Sequence, residues 1–141
     1  MKTEWSFKKR VVYHETDKMG IVHHSNYIRF MEEARTEYMR AKNVSYVDIE
    51  AQGILIPVVD VSCKYKVSAT FDDVLEIFTR LSFFNGIKMC FEYYMYFEGT
   101  DTLAAVGTST HCFIREETRK PVSLKKTMPE VYEKVLTYVG K

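Results

Sequence analysis

Cysteine is scarce: the 141 residues hold only 3, at positions 63, 90 and 112. An odd number spaced so widely fits neither a disulfide framework nor a zinc ribbon. Reduced thiols in the cytoplasm are the expectation. An excess of one charge is also missing, since 20 Lys and Arg against 19 Asp and Glu leave a formal net charge of +1. No global field therefore draws the chain to nucleic acid or to an anionic membrane. No apolar run is long enough to span a bilayer, and the opening MKTEWSFKKRVVYHETD lacks the apolar stretch of a secretory signal. Membrane insertion and secretion are not expected. With no repeats, linkers or low-complexity segments, residues 1–141 read as a single domain.

Aromatic side chains are plentiful instead, with 10 Tyr and 9 Phe among the 46% of residues that are hydrophobic. They suggest a sheet-rich core or a large subunit contact. WSFKKRVVY alternates Trp5, Phe7, Val11 and Tyr13 with polar residues and reads as a first strand. From Asn26 the period changes. Tyr27, Phe30, Met31, Ala34, Tyr38 and Ala41 fall at helical spacing, which predicts a helix with Asn26 as N-cap, running to about Lys42. Ser45 and Asp48 stand in capping-box positions for a second, short helix that stops near Gly53.

Beyond Gly53 the pattern is β. ILIPVVDVSCKYKV reads as a strand whose Pro57 predicts an edge or a bulge. DVLEIFTRLSFF is another, and Asn85-Gly86 marks a hairpin. In the next strand Ile87, Met89, Phe91, Tyr93, Met95 and Phe97 share one face, against polar neighbours on the other. TLAAVGTSTHCFIRE is a last long strand and MPEVYEKVLTYV a C-terminal helix. Cys90 and Cys112 fall on strands as simple packing residues. The economical packing is α+β: one antiparallel sheet curved around one long central helix. Such a sheet leaves long edges, best protected by pairing with another subunit.

The richest chemistry lies in YHETDKMGIVHHSNY, Tyr13 to Tyr27. His14, His23 and His24 with Asp17 match no standard metal spacing, and adjacent histidines converge poorly on one ion. By itself Asp17 is a turn-capping aspartate, the commonest use of that residue in a loop.

The stretch as a whole, YHETDKMGIVHHSNYIRFMEEAR, resembles the signature of hotdog-fold thioesterases of the 4-hydroxybenzoyl-CoA thioesterase-like branch. Tyr13, Thr16, Asp17, Gly20, His24, Asn26, Tyr27, Glu33, Ala34 and Arg35 carry the match, and Asp73 in YKVSATFDDVLEI falls on the branch's second conserved turn. The chain departs from the pattern at Glu15, where many relatives have Asp, and at His23, where many have an aromatic residue; both departures bear on substrate choice. The resemblance implies hydrolysis of an acyl-CoA thioester without metal or organic cofactor. It makes Asp17 the nucleophile or general base and the His24 backbone amide an oxyanion donor. Tyr13, Gly20, Val22, His23, Asn26 and Tyr27 would surround the substrate.

A thioester carbonyl needs a base or nucleophile on one side and donors for the developing oxyanion on the other. A loop aspartate followed by a helix start offers both, because the first N–H groups of a helix have no intrahelical acceptor. Glu33 is the rival acid, since another hotdog branch uses a carboxylate on the central helix; its bland alternative is an ion pair with Arg29 or with cations near Glu37. Arg115, Arg119, Lys120, Lys125 and Lys126, with Lys64 and Lys66, are candidate cations for the CoA phosphates. Acyl-CoA is the expected partner, acyl carrier protein the alternative donor, and a homodimer or homotetramer the expected assembly. A non-catalytic acyl-binding module and a hotdog dehydratase are the other readings. The dehydratase is disfavoured because His24 and Asp17 share one loop, whereas its acid and base would face each other across a subunit contact.

Overall fold

The computed structural model covers residues 1–141 and places five antiparallel strands in the order β1-β4-β5-β6-β3. These are β1 (Ser6–Arg10), β3 (Val58–Tyr65), β4 (Val74–Phe84), β5 (Lys88–Phe97) and β6 (Leu103–Cys112). The helix α1 (His24–Ala41) packs on one face of them, the hotdog arrangement that the resemblance implies. Strand alternation explains why. Met89, Phe91, Tyr93 and Met95 of β5 are each 0% exposed, whereas Lys88 is exposed and Cys90, Glu92 and Tyr94 are only partly covered. Tyr27, Phe30, Met31, Ala34 and Tyr38 meet that face from α1. Gly107 of β6 lets the helix sit close: a Cβ there would collide with Met31 Sδ and come within 2.8 Å of the Ser62 carbonyl oxygen.

Several elements differ from the sequence expectation. The helix begins at His24 with His23 as its cap, because the His23 ring accepts from the Ser25 N–H at 3.3 Å. Asn26 therefore lies inside the first turn and is not the N-cap. The hairpin forms at Asn85-Gly86, but the Asn85 side-chain oxygen accepts from the N–H groups of both Ile87 and Lys88. That widens the turn to take in Ile87, which is exposed rather than in the core. The last long strand breaks around the buried Phe113 into β6 and the short β7 (Ile114–Arg115). Pro57 likewise interrupts the second expected strand, leaving β2 (Ile54–Leu55) to pair with β7 and β3 to form an edge with a bulge between Val58 and Asp60.

The short helix α2 (Tyr46–Ala51) forms as expected, its Ser45 cap accepting from the Asp48 N–H at 3.2 Å. The C-terminal segment folds as α3 (Leu124–Thr127) and α4 (Pro129–Leu136), which bury Leu124 and Val135.

Strand register gives the sheet two distinct ends. Arg10 pairs with Val74, Leu75 with Phe97, and Tyr65 with Ala105 at one end. Phe84 pairs with Met89, Lys88 with Cys112, and Val58 with His111 at the other. The Tyr13–Tyr27 segment folds over the first end.

Candidate active site

The segment after β1 is held by its own backbone. A 3-10 turn covers Tyr13–Glu15, and Thr16 then bridges Val22. The Asp17 N–H donates to the Ile21 carbonyl and the Gly20 N–H to the Asp17 carbonyl, each at 2.9 Å. Gly20 closes the turn at φ +80, a conformation that favours glycine. The Asp17 Oδ1 accepts from the Met19 N–H at 2.8 Å. Asp17 is thus the turn-capping aspartate of the bland reading, but through one oxygen only; no hydrogen bond engages Oδ2. Ile21 bridges Thr70, and the Val22 N–H donates to Ala69 at 2.9 Å, which ties the turn to the chain entering β4. Asp73 supports that contact by accepting from the Thr70 N–H at 2.8 Å.

A cleft of about 200 Å³ opens beside this turn. Asp17, Val22, His24 and Tyr27 line it, joined by Tyr65 and Lys66 at the end of β3 and just beyond it. Met19, Ile21 and Val67 supply further apolar wall. The His24 N–H is the first of α1 and has no acceptor within the helix. Its carbonyl accepts from the Tyr65 hydroxyl at 3.1 Å, which fixes the mouth of the helix against β3. The Tyr27 hydroxyl accepts from the Ala69 N–H at 3.3 Å. Burial pushes both the Tyr27 and Tyr65 hydroxyls above the usual tyrosine range, so they stay protonated at neutral pH. The cleft therefore has one acid, one lysine, neutral phenols and an open helix start.

Four residues that the resemblance ranks around the substrate stand outside the cleft lining. Tyr13 is 76% exposed and packs edge-on against Phe71. Gly20 shapes the turn. His23 caps the helix and stacks on His24 with ring centroids 4.3 Å apart. Asn26 is buried, donating to the Glu15 carbonyl at 2.8 Å and accepting from Arg29 at 2.9 Å. Val22 and Tyr27 do reach the cleft, with Asp17 and His24.

Glu15 faces inward. Its carboxylate accepts from the Val12 N–H at 2.8 Å and pairs with Lys9 at 3.1 Å, so this departure from the family pattern shapes the loop rather than the substrate wall. Glu33 pairs with Lys9 at 3.7 Å and not with Arg29 or a helical neighbour, because Arg29 is turned to Asn26. No three His, Cys, Asp or Glu side chains gather as a metal site would require.

The expected cations divide sharply. Lys66 lines the cleft and Lys64 lies near it on β3, but Arg115, Arg119, Lys120, Lys125 and Lys126 follow the far end of β6. The ten residues of β6 at roughly 3.3 Å each place them about 30 Å away within the chain. Sequence reasoning missed Met19, Ile21, Tyr65, Val67 and Ser68 as cleft residues. No local pattern marks Tyr65, Val67 or Ser68, since only the fold brings the end of β3 to the loop; the apolar Met19 and Ile21 flanking Gly20 were the available signals.

Comparison with known proteins places the chain in a family. Residues 11–135 match the family described as the thioesterase-like superfamily. The Bacillus subtilis (strain 168) protein YneP, which carries a candidate acyl-CoA thioesterase name, is 35% identical over 127 residues, covering 88% of this chain and 91% of that one. The acyl-CoA thioesterase YbgC of Haemophilus influenzae is 38% identical over 89 residues, or 62% of this chain and 65% of the relative. The crystal structure of DHNA-CoA thioesterase from Staphylococcus aureus superposes with a TM-score of 0.87 at 32% identity, covering 94% of this chain and 90% of that one. With the match spanning nearly its whole length, the chain belongs to the thioesterase-like superfamily.

Proposed function

We propose that this protein hydrolyses an acyl-CoA thioester to a carboxylic acid and the CoA thiol, with Asp17 as the attacking or activating carboxylate. The observation that carries the reading is that Asp17 and His24, whose N–H opens α1 without an intrahelical acceptor, line one cleft. The substrate carbonyl oxygen points at the His24 N–H, where helix-end polarity favours a developing negative charge. The carboxylate approaches the carbonyl carbon from the other side. As nucleophile it forms a mixed anhydride, expelling the thiolate, and water then hydrolyses the anhydride. As base it takes a proton from water, whose hydroxide attacks directly. In both routes the thiolate leaves without needing a strong acid, so the neutral phenols nearby suffice.

The walls formed by Met19, Ile21, Val67 and Tyr65 suit an apolar acyl group, and Lys66 is the cation within the cleft available to a CoA phosphate. Acyl carrier protein is the alternative donor. The names of the relatives support CoA as the first donor to test. A cytoplasmic setting is in keeping with three free cysteines.

The test is a panel of acyl-CoA and acyl-carrier-protein thioesters with a thiol-trapping reagent. Stoichiometric thiol release with one donor class supports hydrolysis and names the donor. Tight binding without release would instead make the protein an acyl-binding module, and hydration of an enoyl-CoA would make it a dehydratase.

A further inference from the structure

We propose that Asn26 is a positioning residue for this hydrolysis, bolting the Asp17 turn to the first turn of α1 through the carbonyl of Glu15. The inference rests on the reading of Asp17 given above. The two sides of the cleft belong to different elements: the carboxylate to a self-contained turn, the carbonyl donor to a helix. Every hydrogen bond of the turn between Thr16 and Val22 closes on the turn itself, on Tyr13 just before it, or on the Ala69–Thr70 segment, and none reaches the helix. The hydrogen bonds that tie the loop to the helix start are two, and both end on the Glu15 carbonyl, two residues before Asp17. One comes from the His23 N–H at 2.9 Å and the other from Asn26 Nδ2 at 2.8 Å.

That carbonyl has two lone pairs, and both are used. Asn26 can serve because it is buried at the third position of the helix, where a surface cap would not reach. Arg29, one turn on, donates to Asn26 Oδ1 at 2.9 Å and so selects the side-chain orientation that presents the NH₂ group to Glu15. Glu15 is fixed in turn by Val12 and by Lys9. The chain of contacts thus runs from β1 through Glu15 to Asn26 and the helix. A displacement of about 1 Å in reacting groups can lower turnover by as much as a hundredfold, so a connection of this kind has catalytic leverage without touching substrate.

Asn26→Asp keeps the volume and the Arg29 partner but replaces the donor to Glu15 by an acceptor. Asn26→Ala, which introduces no buried charge, serves as the second variant in case the first folds poorly. At matched folded fraction, kcat should fall about ten- to thirtyfold while KM changes by less than about threefold, since no substrate contact is lost. Combined with Asp17→Asn, either change should cost clearly less than it does alone, because its target has gone. A normal kcat with a lowered melting temperature makes Asn26 merely structural and overturns the proposal. A change confined to KM makes it a substrate contact, and full multiplicative loss in the double variant makes it independent of Asp17; either result overturns the proposal too. If Asp17→Asn by itself keeps full activity, it is the reading of Asp17 that fails. Loss in Asp17→Asn with normal turnover in both Asn26 variants sinks only the positioning role.

Discussion

The Lys9 ammonium stands 3.7 Å from the Glu33 carboxylate and 5.3 Å from the centre of the Phe30 ring, with its side chain 15% exposed. Glu33 is therefore answered by a cation from β1 on the outer border of α1, away from the cleft that Asp17 lines. A carboxylate held this way is placed to secure the helix to the edge strand. The proposed route rests instead on Asp17, whose Oδ2 takes part in no hydrogen bond.

Exchanging the two carboxylates for amides should separate these roles. Asp17→Asn keeps shape but loses nucleophilicity and basicity, so turnover should fall by about a hundredfold or more with substrate affinity little changed. Glu33→Gln should lower the melting temperature more than the rate constant of the folded enzyme. Steady-state kinetics at matched folded fraction, with one well-hydrolysed acyl-CoA, decide between them. An active Asp17→Asn beside a folded but dead Glu33→Gln would transfer the chemistry to the helix acid.

Chelation gives an independent check on the same chemistry. The proposed route needs only a carboxylate and backbone donors, so exhaustive treatment with EDTA should leave kcat unchanged. Activity lost to EDTA and restored by zinc or manganese would contradict that route.

Gly107→Ala should be among the most damaging single-methyl additions in the sheet. The new Cβ would meet Met31 Sδ and the Ser62 carbonyl, and the second cannot move because Cys63 pairs with Gly107 in the β3–β6 ladder. Overpacking of this kind costs about 1–3 kcal/mol. Urea unfolding should record the loss, and Met31→Ala in the same chain should relieve only the part due to the flexible thioether.

The sequence displayed the core faces of α1 and β5 because their periods are long and unbroken. It displayed the Asp17 turn because ten matching positions crowd one short stretch. What it hid were facts set by tertiary contact. Asn26 looked like a cap until His23, one residue before the helix, proved able to fold its own ring back onto the Ser25 N–H. Tyr65 is an ordinary strand residue until β3 ends beside the loop, and the basic residues after β6 read as phosphate ligands only while the direction of β6 is unknown.

The edge strand β3 carries a further expectation. Val58, Val59 and Tyr65 are 48%, 62% and 47% exposed along a strand with one free backbone edge. Pairing with a second copy would cover them. Sedimentation at micromolar concentration should give a dimer or tetramer, and Val59→Lys should shift the population toward monomer. Because Tyr65 also lines the cleft, the shift should carry a loss of activity with it; a stable, fully active monomer would rule the assembly out.

His111 should give stability a measurable pH dependence of its own. It is 1% exposed on β6, with Nε2 bonded to Ser109 Oγ at 2.8 Å and Ser109 bonded onward to Tyr93 at 2.7 Å. Its Nδ1 makes no hydrogen bond of good geometry, with only the Pro57 carbonyl near enough to favour a ring proton. Burial, reinforced by the Arg35 guanidinium and only partly opposed by the Pro57 carbonyl, lowers its pKa from 6.5 to about 4. Above the unfolded value both states carry a neutral ring and nothing is lost. As the pH falls below it, the unfolded chain takes up a proton that the folded chain refuses, so stability declines until the folded ring also protonates near the lower value. From about pH 7 to about pH 5 this ring alone should remove about 2 kcal/mol, approaching about 3 kcal/mol in stronger acid. Carboxylates contribute their own slope, so the comparison must be with His111→Gln, which cannot titrate. Urea-unfolding free energies for both proteins should converge by about that amount as the pH is lowered across this range. Curves that stay parallel would mean that the folded protein accommodates the charged ring, with Ser109 or a rotated Tyr93 accepting its proton.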